Sequence, residues 1–184
     1  MSHMTTYTKL RFNPVNPDAS HICSEDIAHA LSMLTRATGH FPQFYSVGQH
    51  CLNCCKESME RNLPVSISLA CLLHDAAESY ISDLTRAVKE QIPTYNEIEE
   101  RLLETIYTKY LGRNLTVDEA SAVKEIDDSM LYYELKHFMD EEIKTEPPYF
   151  ISKPDFSLRP FEDVENEYKK TLSALLSLYF DLSK

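Results

Sequence analysis

The stretch Ala70-Cys71-Leu72-Leu73-His74-Asp75-Ala76-Ala77-Glu78 decides the fold, because it joins an apolar run to three ionisable residues. The residues from Val65 onward are apolar on nearly all sides of a helix, which predicts a helix buried in the middle of a bundle. His74 and Asp75 come near the end of that helix, and Glu78 follows one turn later. Buried charge is costly unless it is paired or bound to a metal, so this stretch indicates a candidate metal site.

The composition favours helices over sheet. The 184 residues include three glycines and no tryptophan, and valine is scarce beside leucine, alanine and glutamate. A chain of this length forms a substantial hydrophobic core. We therefore expect residues 1–184 to form a single domain, with 1–4 a cloning remnant, 141–160 a long loop and 161–181 a C-terminal helix.

Charge and cysteine usage narrow the class of protein. The net charge of −11 argues against binding of a nucleic-acid polymer, which needs a basic face. The five cysteines are odd in number and three of them crowd together, unlike a secreted disulfide framework. The sequence shows neither a signal-peptide pattern nor an apolar run long enough to span a bilayer, so we expect a cytoplasmic protein without a membrane partner.

Capping patterns predict the helix boundaries. Ser24 can cap a first helix, and Ser46 with Gln49 forms a capping box. Two further boxes begin at Thr94 and Thr116, and Gly112 is a C-terminal stop. Residues 1–23 are predicted to be irregular, and strands have little support. The sequence thus predicts an all-α bundle of six or seven helices, with helices over about 24–38, 47–61, 64–77, a short one through 88, 95–111, 117–140 and 160–181.

Four residues next to apolar runs are candidate metal ligands: His50, His74, Asp75 and Asp127. Two imidazoles and two carboxylates form a mixed nitrogen and oxygen site, which suits Mn, Co, Fe, Ni or Zn better than calcium. Asp127 and its neighbour Asp128 point about 100° apart on a helix. Asp127 falls on the apolar face, so we expect Asp127 to face the site and Asp128 to lie towards solvent or to support it.

Three cysteines beside His50 allow two interpretations. Cys51, Cys54 and Cys55 could take part in a second metal site, but a structural zinc site usually needs another Cys or His pair from elsewhere. The favoured interpretation is that they are small apolar side chains that pack the second helix. His29 and His137 are likewise interpreted as core or surface groups.

The order His, His-Asp, Asp on helices resembles the HD-domain metal-dependent phosphohydrolases. The stretch His74-Asp75-Ala76-Ala77-Glu78-Ser79-Tyr80-Ile81-Ser82-Asp83-Leu84 is similar to the HDAxExxxxDL motif of the bacterial 5′-deoxynucleotidase branch and its phage-type relatives. Asp26-Ile27-Ala28-His29-Ala30-Leu31-Ser32 and Phe44-Tyr45-Ser46-Val47-Gly48-Gln49-His50 resemble the phage-type members in particular. Together these matches cover about residues 24–135.

The resemblance implies roles for further residues. Glu78 matches the acid near the attacking water, and Asp83 matches a second acid near the scissile phosphate. Lys89 matches a basic position that holds a phosphate, and Arg36 matches a substrate-contacting arginine. The deoxynucleotidases carry an Arg-Trp pair about here, whereas this chain has no tryptophan. His40 or Phe41 is the candidate that stacks on a base instead.

The function implied by the resemblance is phosphate-ester hydrolysis of (deoxy)nucleotides at the 5′ phosphate by metal-activated water. The enzyme class implied is either a 5′-deoxynucleotidase or a dNTP triphosphohydrolase, because phage dATP triphosphohydrolases have a similar sequence pattern. One divalent transition metal is implied, and a second Mg or Mn ion carried with the substrate phosphates is left open. The alternative is a non-catalytic HD-fold sensor of nucleotide or metal. The apolar residues of the last helix also favour a homo-oligomer.

Overall fold

The computed structural model describes residues 3–182. They form a helical bundle, as the sequence predicts, and one very small sheet, which it does not predict. The helices are α1 (Ser24–Met33), α2 (Val47–Glu60), α3 (Val65–Leu73), α4 (Glu78–Ile81), α5 (Arg86–Lys89), α6 (Pro93–Leu111), α7 (Val117–Met139) and α8 (Phe161–Leu182).

The helix α3 is the centre of the bundle, as its all-round apolar sequence predicts. Residues 69–73 are completely buried. The helices α2, α6, α7 and α8 all pack against α3. The buried Tyr168 of α8 donates its hydroxyl to the carbonyl oxygen of Leu72 at 2.6 Å. This hydrogen bond fixes the C-terminal end of α3 to α8, directly before His74 and Asp75.

The chain turns immediately after α3, earlier than the sequence predicts. The helix ends at Leu73 instead of continuing through Ala77, and residues 74–77 form a turn before α4. The amide of Ala76 donates to the carbonyl oxygen of Leu73, three residues earlier. This is the spacing of a 3₁₀-helix, whereas an α-helix joins residues four apart. His74 and Asp75 therefore lie in a turn at the end of the buried helix.

Most predicted helix ends are confirmed. The first helix is shorter than the predicted 24–38: it ends at Met33 because Leu34 is extended, and Arg36–Gly39 forms a separate 3₁₀ turn. Two helix starts are wrong by a residue or two. Ser46 and Thr116 cap α2 and α7 as predicted, and Gly112 ends α6 in the left-handed conformation. Ser24 is the first residue of α1 and Cys23 precedes it as the cap. The Thr94 box does not form: α6 begins at Pro93, because proline suits a first helical turn.

The N-terminal region is more regular than predicted. Met4–Thr5 (β1) and Arg11–Phe12 (β2) pair antiparallel, with Met4 opposite Phe12. The buried carboxylate of Asp26 in α1 anchors this hairpin, since it accepts from the amide of Thr8 at 2.7 Å. Of the predicted cloning remnant, residues 1 and 2 lie outside the described part of the chain.

The long loop after α7 is confirmed, and it is fastened to α2. The buried carboxylate of Glu57 accepts from the backbone amides of Ile151 and Ser152 at distances between 2.7 and 3.2 Å. The side-chain amide of Asn53 donates to the carbonyl oxygen of Asp155. These bonds satisfy the polar backbone of a segment that has no helix or strand of its own.

The last helix buries only part of its apolar face. Leu172 and Leu175 belong to the core, whereas Leu178 and Phe180 are about half exposed. The oligomer inferred from this helix stays a prediction. Within residues 3–182, no helix combines the length and the apolar character that a membrane crossing requires.

The contact between α1 and α2 depends on Gly48. A Cβ atom there would come within 3.2 Å of the Leu31 carbonyl group and the Ser32 nitrogen of α1. We predict that Gly48→Ala lowers the free energy of unfolding by about 1–3 kcal/mol, because the two helix backbones must separate. Urea unfolding followed by circular dichroism measures this. Helix propensity alone predicts the opposite, a gain of about 1 kcal/mol, and that result would contradict the packing argument.

Candidate metal centre

The four predicted metal ligands come together in one place. His50 of α2 places its Nε2 atom 3.1 Å from the Nε2 atom of His74 and 3.1 Å from Oδ1 of Asp127. Oδ2 of Asp75 lies 3.5 Å from His74 Nε2 and 3.8 Å from His50 Nε2. Three separate regions of the chain, α2, the turn after α3 and the middle of α7, thus supply one cluster of donor atoms.

The hydrogen bonds on the far side of each imidazole direct both Nε2 atoms into the cluster. Nδ1 of His50 lies 2.6 Å from the carboxylate of Glu134, and Nδ1 of His74 lies 2.7 Å from the carbonyl oxygen of Cys71. A carboxylate or carbonyl acceptor requires Nδ1 to carry the proton. In the neutral rings, two nitrogen lone pairs therefore face each other at 3.1 Å.

The spacing of these atoms fits a bound metal ion. Donors about 2.1 Å from a common ion lie about 3.0–3.4 Å apart in octahedral or tetrahedral geometry. The separations of His50 Nε2 from His74 Nε2 and from Asp127 Oδ1 fall within this range, and the others are slightly longer. Histidines that bind a metal usually donate their other ring N–H to a carboxylate or a carbonyl group, and both imidazoles do so here.

The electrostatics of the cluster favour positive charge. Burial opposes charge on His74, but Asp75, Cys51 and Asp127 together outweigh it and raise the pKa of His74 well above its ordinary value. Burial and Arg36 likewise oppose charge on His50, yet neighbouring acidic groups including Glu134 raise its pKa as well. Burial disfavours ionised Asp127, but hydrogen bonds from His50 and His74 hold its pKa well below the usual range. The cluster can therefore attract protons or a metal cation.

Asp128 lies apart from the donor cluster, as the helical spacing predicts. Its carboxylate accepts from Lys124 at 2.6 Å and from Arg86 at 3.3 Å. It is about one third exposed. Its contact with Arg86 links α7 to the short helix α5, which borders the cavity beside the cluster.

A cavity of about 240 Å³ adjoins the cluster. Its wall includes Asp75 and Asp127 together with four further residues that the sequence assigns to the site. Those four are Glu78, Asp83, Lys89 and Arg36. His40, the remaining residue that the sequence assigns to substrate binding, is exposed and is not among the described residues of the wall. Its neighbour Phe41 is part of the wall. The substrate role of each residue stays a prediction.

Glu78 is the acid of the described cavity wall whose pKa is raised. Burial, together with repulsion from Asp75 and Asp83, raises its pKa to about 9 against the opposing effects of Lys89 and Arg36. Its Oε1 atom lies 3.3 Å from Lys89 Nζ, and its Oε2 atom has no hydrogen-bond partner among the described residues. Such a group is well suited to exchange a proton with a ligand.

Arg36 contacts two acidic side chains, Asp75 of the cluster and Glu134 behind His50. Its guanidinium lies 3.4 Å from Oδ2 of Asp75 and 3.3 Å from Oε2 of Glu134. Burial opposes its charge, but Glu134 and Asp75 keep its pKa well above the ordinary value. Arg36 therefore remains a cation at one wall of the cavity.

A larger cavity of about 650 Å³ lies along a different face of α2, between that helix, α8 and the long loop. Lys56 and Arg159 line it together with apolar residues such as Leu52 and Leu175. None of the described residues in its wall is a histidine. The convergence of ionisable groups makes the smaller cavity the better candidate site, despite its size.

Two residues of the site were missed by sequence reasoning. Glu134 lies seven residues after Asp127, which places both on one face of α7, and this spacing was a usable signal. Cys54 lies four residues after His50, and its Sγ atom is 3.6 Å from His50 Nε2. Cys54 is buried as expected, but it is also a candidate metal-ligand group with His50 and His74.

Comparison with known proteins gives relatives but no function. No model of a known protein family matches the chain. The chain is 33% identical over 110 residues to the uncharacterised protein YfdR of Escherichia coli (strain K12), an alignment that covers 60% of this chain and 59% of YfdR. It is also 33% identical over 108 residues to an uncharacterised protein of Rhodobacter capsulatus, with 54% of each chain covered. The chain thus spans somewhat over half the length of these relatives.

The Glu134 carboxylate should control how tightly His50 binds a cation. We predict that Glu134→Gln lowers the affinity for Co²⁺ or Mn²⁺ by about 10–100-fold, because the imidazole loses its charged hydrogen-bond acceptor. Isothermal titration of chelator-treated protein measures this affinity. Glu125→Gln, on the exposed side of the same helix, is the matched control and should bind as the wild type does. Equal affinity in the Glu134 and Glu125 variants would refute the role of Glu134.

Proposed function

We propose that the protein is an HD-domain metal-dependent phosphohydrolase that acts on (deoxy)nucleotides at the 5′ phosphate. The observation that carries the proposal is the pair of Nε2 atoms of His50 and His74, which face each other at 3.1 Å beside two carboxylates. The order of these ligands along the chain is that of the family which the sequence resembles.

His50, His74, Asp75 and Asp127 are the residues that would hold the cation. A divalent metal ion bound there supplies Lewis acidity, which lowers the pKa of water and polarises a phosphoryl group. The neutral imidazoles and the two carboxylates suit Mn, Co, Fe, Ni or Zn. The hydrogen bonds behind the imidazoles fix the orientation of both rings before the ion arrives.

The cavity supports a phosphate-bearing substrate because its wall carries cations as well as acids. Arg36 and Lys89 lie on the wall together with Glu78, and the side chain of Arg86, which also lines the cavity, is largely exposed. A guanidinium and an ammonium group can bind phosphate oxygens, the first through paired hydrogen bonds and the second as a point charge. The volume of about 240 Å³ is below the range typical for a drug-sized ligand, so we place the phosphate end inside and the base towards the mouth.

Glu78 is the residue we assign to proton transfer. Because its pKa is raised to about 9, it holds a proton at neutral pH and can donate that proton to the departing sugar oxygen. In its ionised form the same carboxylate can orient the attacking water. Asp83, on the same wall, raises the pKa of Glu78 and thereby favours the protonated form.

Product analysis tests the proposal directly. The purified protein is supplied with Mn²⁺ or Co²⁺ and with deoxynucleoside mono- and triphosphates, and inorganic phosphate is resolved from triphosphate. Release of phosphate from monophosphates identifies a 5′-deoxynucleotidase, and release of triphosphate identifies a dNTP triphosphohydrolase. Absence of release from every nucleotide, with metal binding confirmed, would contradict the proposal.

Replacement of Glu78 separates an enzyme from a nucleotide sensor. We predict that Glu78→Gln lowers kcat at least about 100-fold and leaves metal affinity within about twofold, because the side chain transfers a proton without holding the ion. Steady-state kinetics and metal titration measure the two effects. The matched control is Glu99→Gln, which also contacts Lys89 but is not part of the described cavity wall. Unchanged turnover in Glu78→Gln would refute the assignment.

A further inference from the structure

The Cys54 thiol lies beside the metal-facing nitrogen of His50. Its Sγ atom is 3.6 Å from His50 Nε2, and the donor atoms of His50, Cys54 and His74 all lie within 4.8 Å of one another. We propose that Cys54 is a further protein ligand, so that the metal centre contains a thiolate. This inference rests on the metal centre of the proposed function and goes beyond the four ligands that the family resemblance implies.

The helix geometry places Cys54 where a ligand is needed. Residues four apart lie on the same face of a helix, so Cys54 projects in the same direction as His50 from α2. An ion about 2.1 Å from nitrogen and about 2.3–2.4 Å from sulfur would see these atoms at an angle of about 105–110° when they are 3.6 Å apart. That angle is close to tetrahedral and needs no movement of the helix.

The neighbouring cysteines differ from Cys54 in their surroundings. Cys55 is equally buried, but it lines the larger cavity on a different face of α2. Cys51 forms a separate group with His74 and Asp75, within 4.8 Å of both. Of these thiols, Cys54 is the one in hydrogen-bonding distance of His50 Nε2, the atom that also contacts His74 and Asp127.

A thiolate ligand changes which metal the centre prefers. A coordinating thiol loses its proton, which is released to solvent as the ion binds. Thiolate is a soft ligand, so it favours Zn²⁺, Co²⁺ or Fe²⁺ over Mn²⁺ and Mg²⁺. The thiolate would join the two imidazoles and the two carboxylates around the cation, and a water or phosphate oxygen would complete the set of ligands.

Cobalt absorption provides the test. The full chain is freed of metal with chelator, kept reduced under nitrogen and titrated with Co²⁺ alone. We expect an intense near-ultraviolet band from sulfur-to-cobalt charge transfer, together with weaker visible d–d bands. Cys54→Ser should lose the near-ultraviolet band, keep the visible bands and bind Zn²⁺ at least about tenfold more weakly, with Mn²⁺ affinity changed by less than about threefold.

Two matched variants make the result decisive. Cys55→Ser should retain the charge-transfer band, and so should Cys51→Ser. Visible bands without a charge-transfer band in the wild type, or a band that depends on Cys51 instead of Cys54, would overturn the inference and leave the metal centre intact. Absence of all cobalt bands would instead count against the metal centre itself. Circular dichroism of each variant confirms that its helices are formed.

Discussion

The hydrogen bond between His50 and Glu134 is the interaction on which the site depends. Both side chains are completely buried, and Nδ1 of His50 lies 2.6 Å from the carboxylate. A buried carboxylate without partners would be strongly destabilising, so α2 and α7 must stay in a register that keeps the pair together. The same bond fixes the tautomer of His50 and turns Nε2 towards His74 and Asp127. This one hydrogen bond therefore contributes both to the packing of α2 against α7 and to the orientation of the donor atoms.

The centre of the bundle brings ionisable groups of both signs close together. Several carboxylates meet at the cluster and the adjoining cavity, together with three basic side chains and the two imidazoles. The basic side chains are Arg36, Arg86 and Lys89. Burial, with repulsion from the carboxylates of Asp75 and Asp83, raises the pKa of Glu78 to about 9. Such an arrangement is unfavourable for folding alone, and a bound cation would relieve it. The polar turn after α3 thus places ionisable groups at the end of the most apolar helix of the described chain.

Local sequence rules predicted much of the fold and the composition of the cluster. The apolar run before His74 indicated the buried helix, and the capping residues Ser46 and Thr116 indicated two helix starts, because both signals are local. The break after Leu73 and the pairing of Glu134 with His50 could not be predicted in this way, although the spacing of Glu134 from Asp127 places both on one face of α7. The first depends on how α3 is held by the surrounding helices, and the second on the distance between residues 84 positions apart. Cys54 was assigned to packing because a cysteine on the buried face of a helix has the same sequence pattern whether it packs the core or binds a metal.

The position of a bound ion tests the central claim most directly. Crystals soaked in Co²⁺ and measured at the cobalt absorption edge would show where the ion lies. We expect one anomalous peak per chain, about 2.1 Å from Nε2 of both His50 and His74 and in contact with Asp75 and Asp127. No peak between the two imidazoles, with the two rings joined instead by a direct hydrogen bond at 3.1 Å, would contradict this claim.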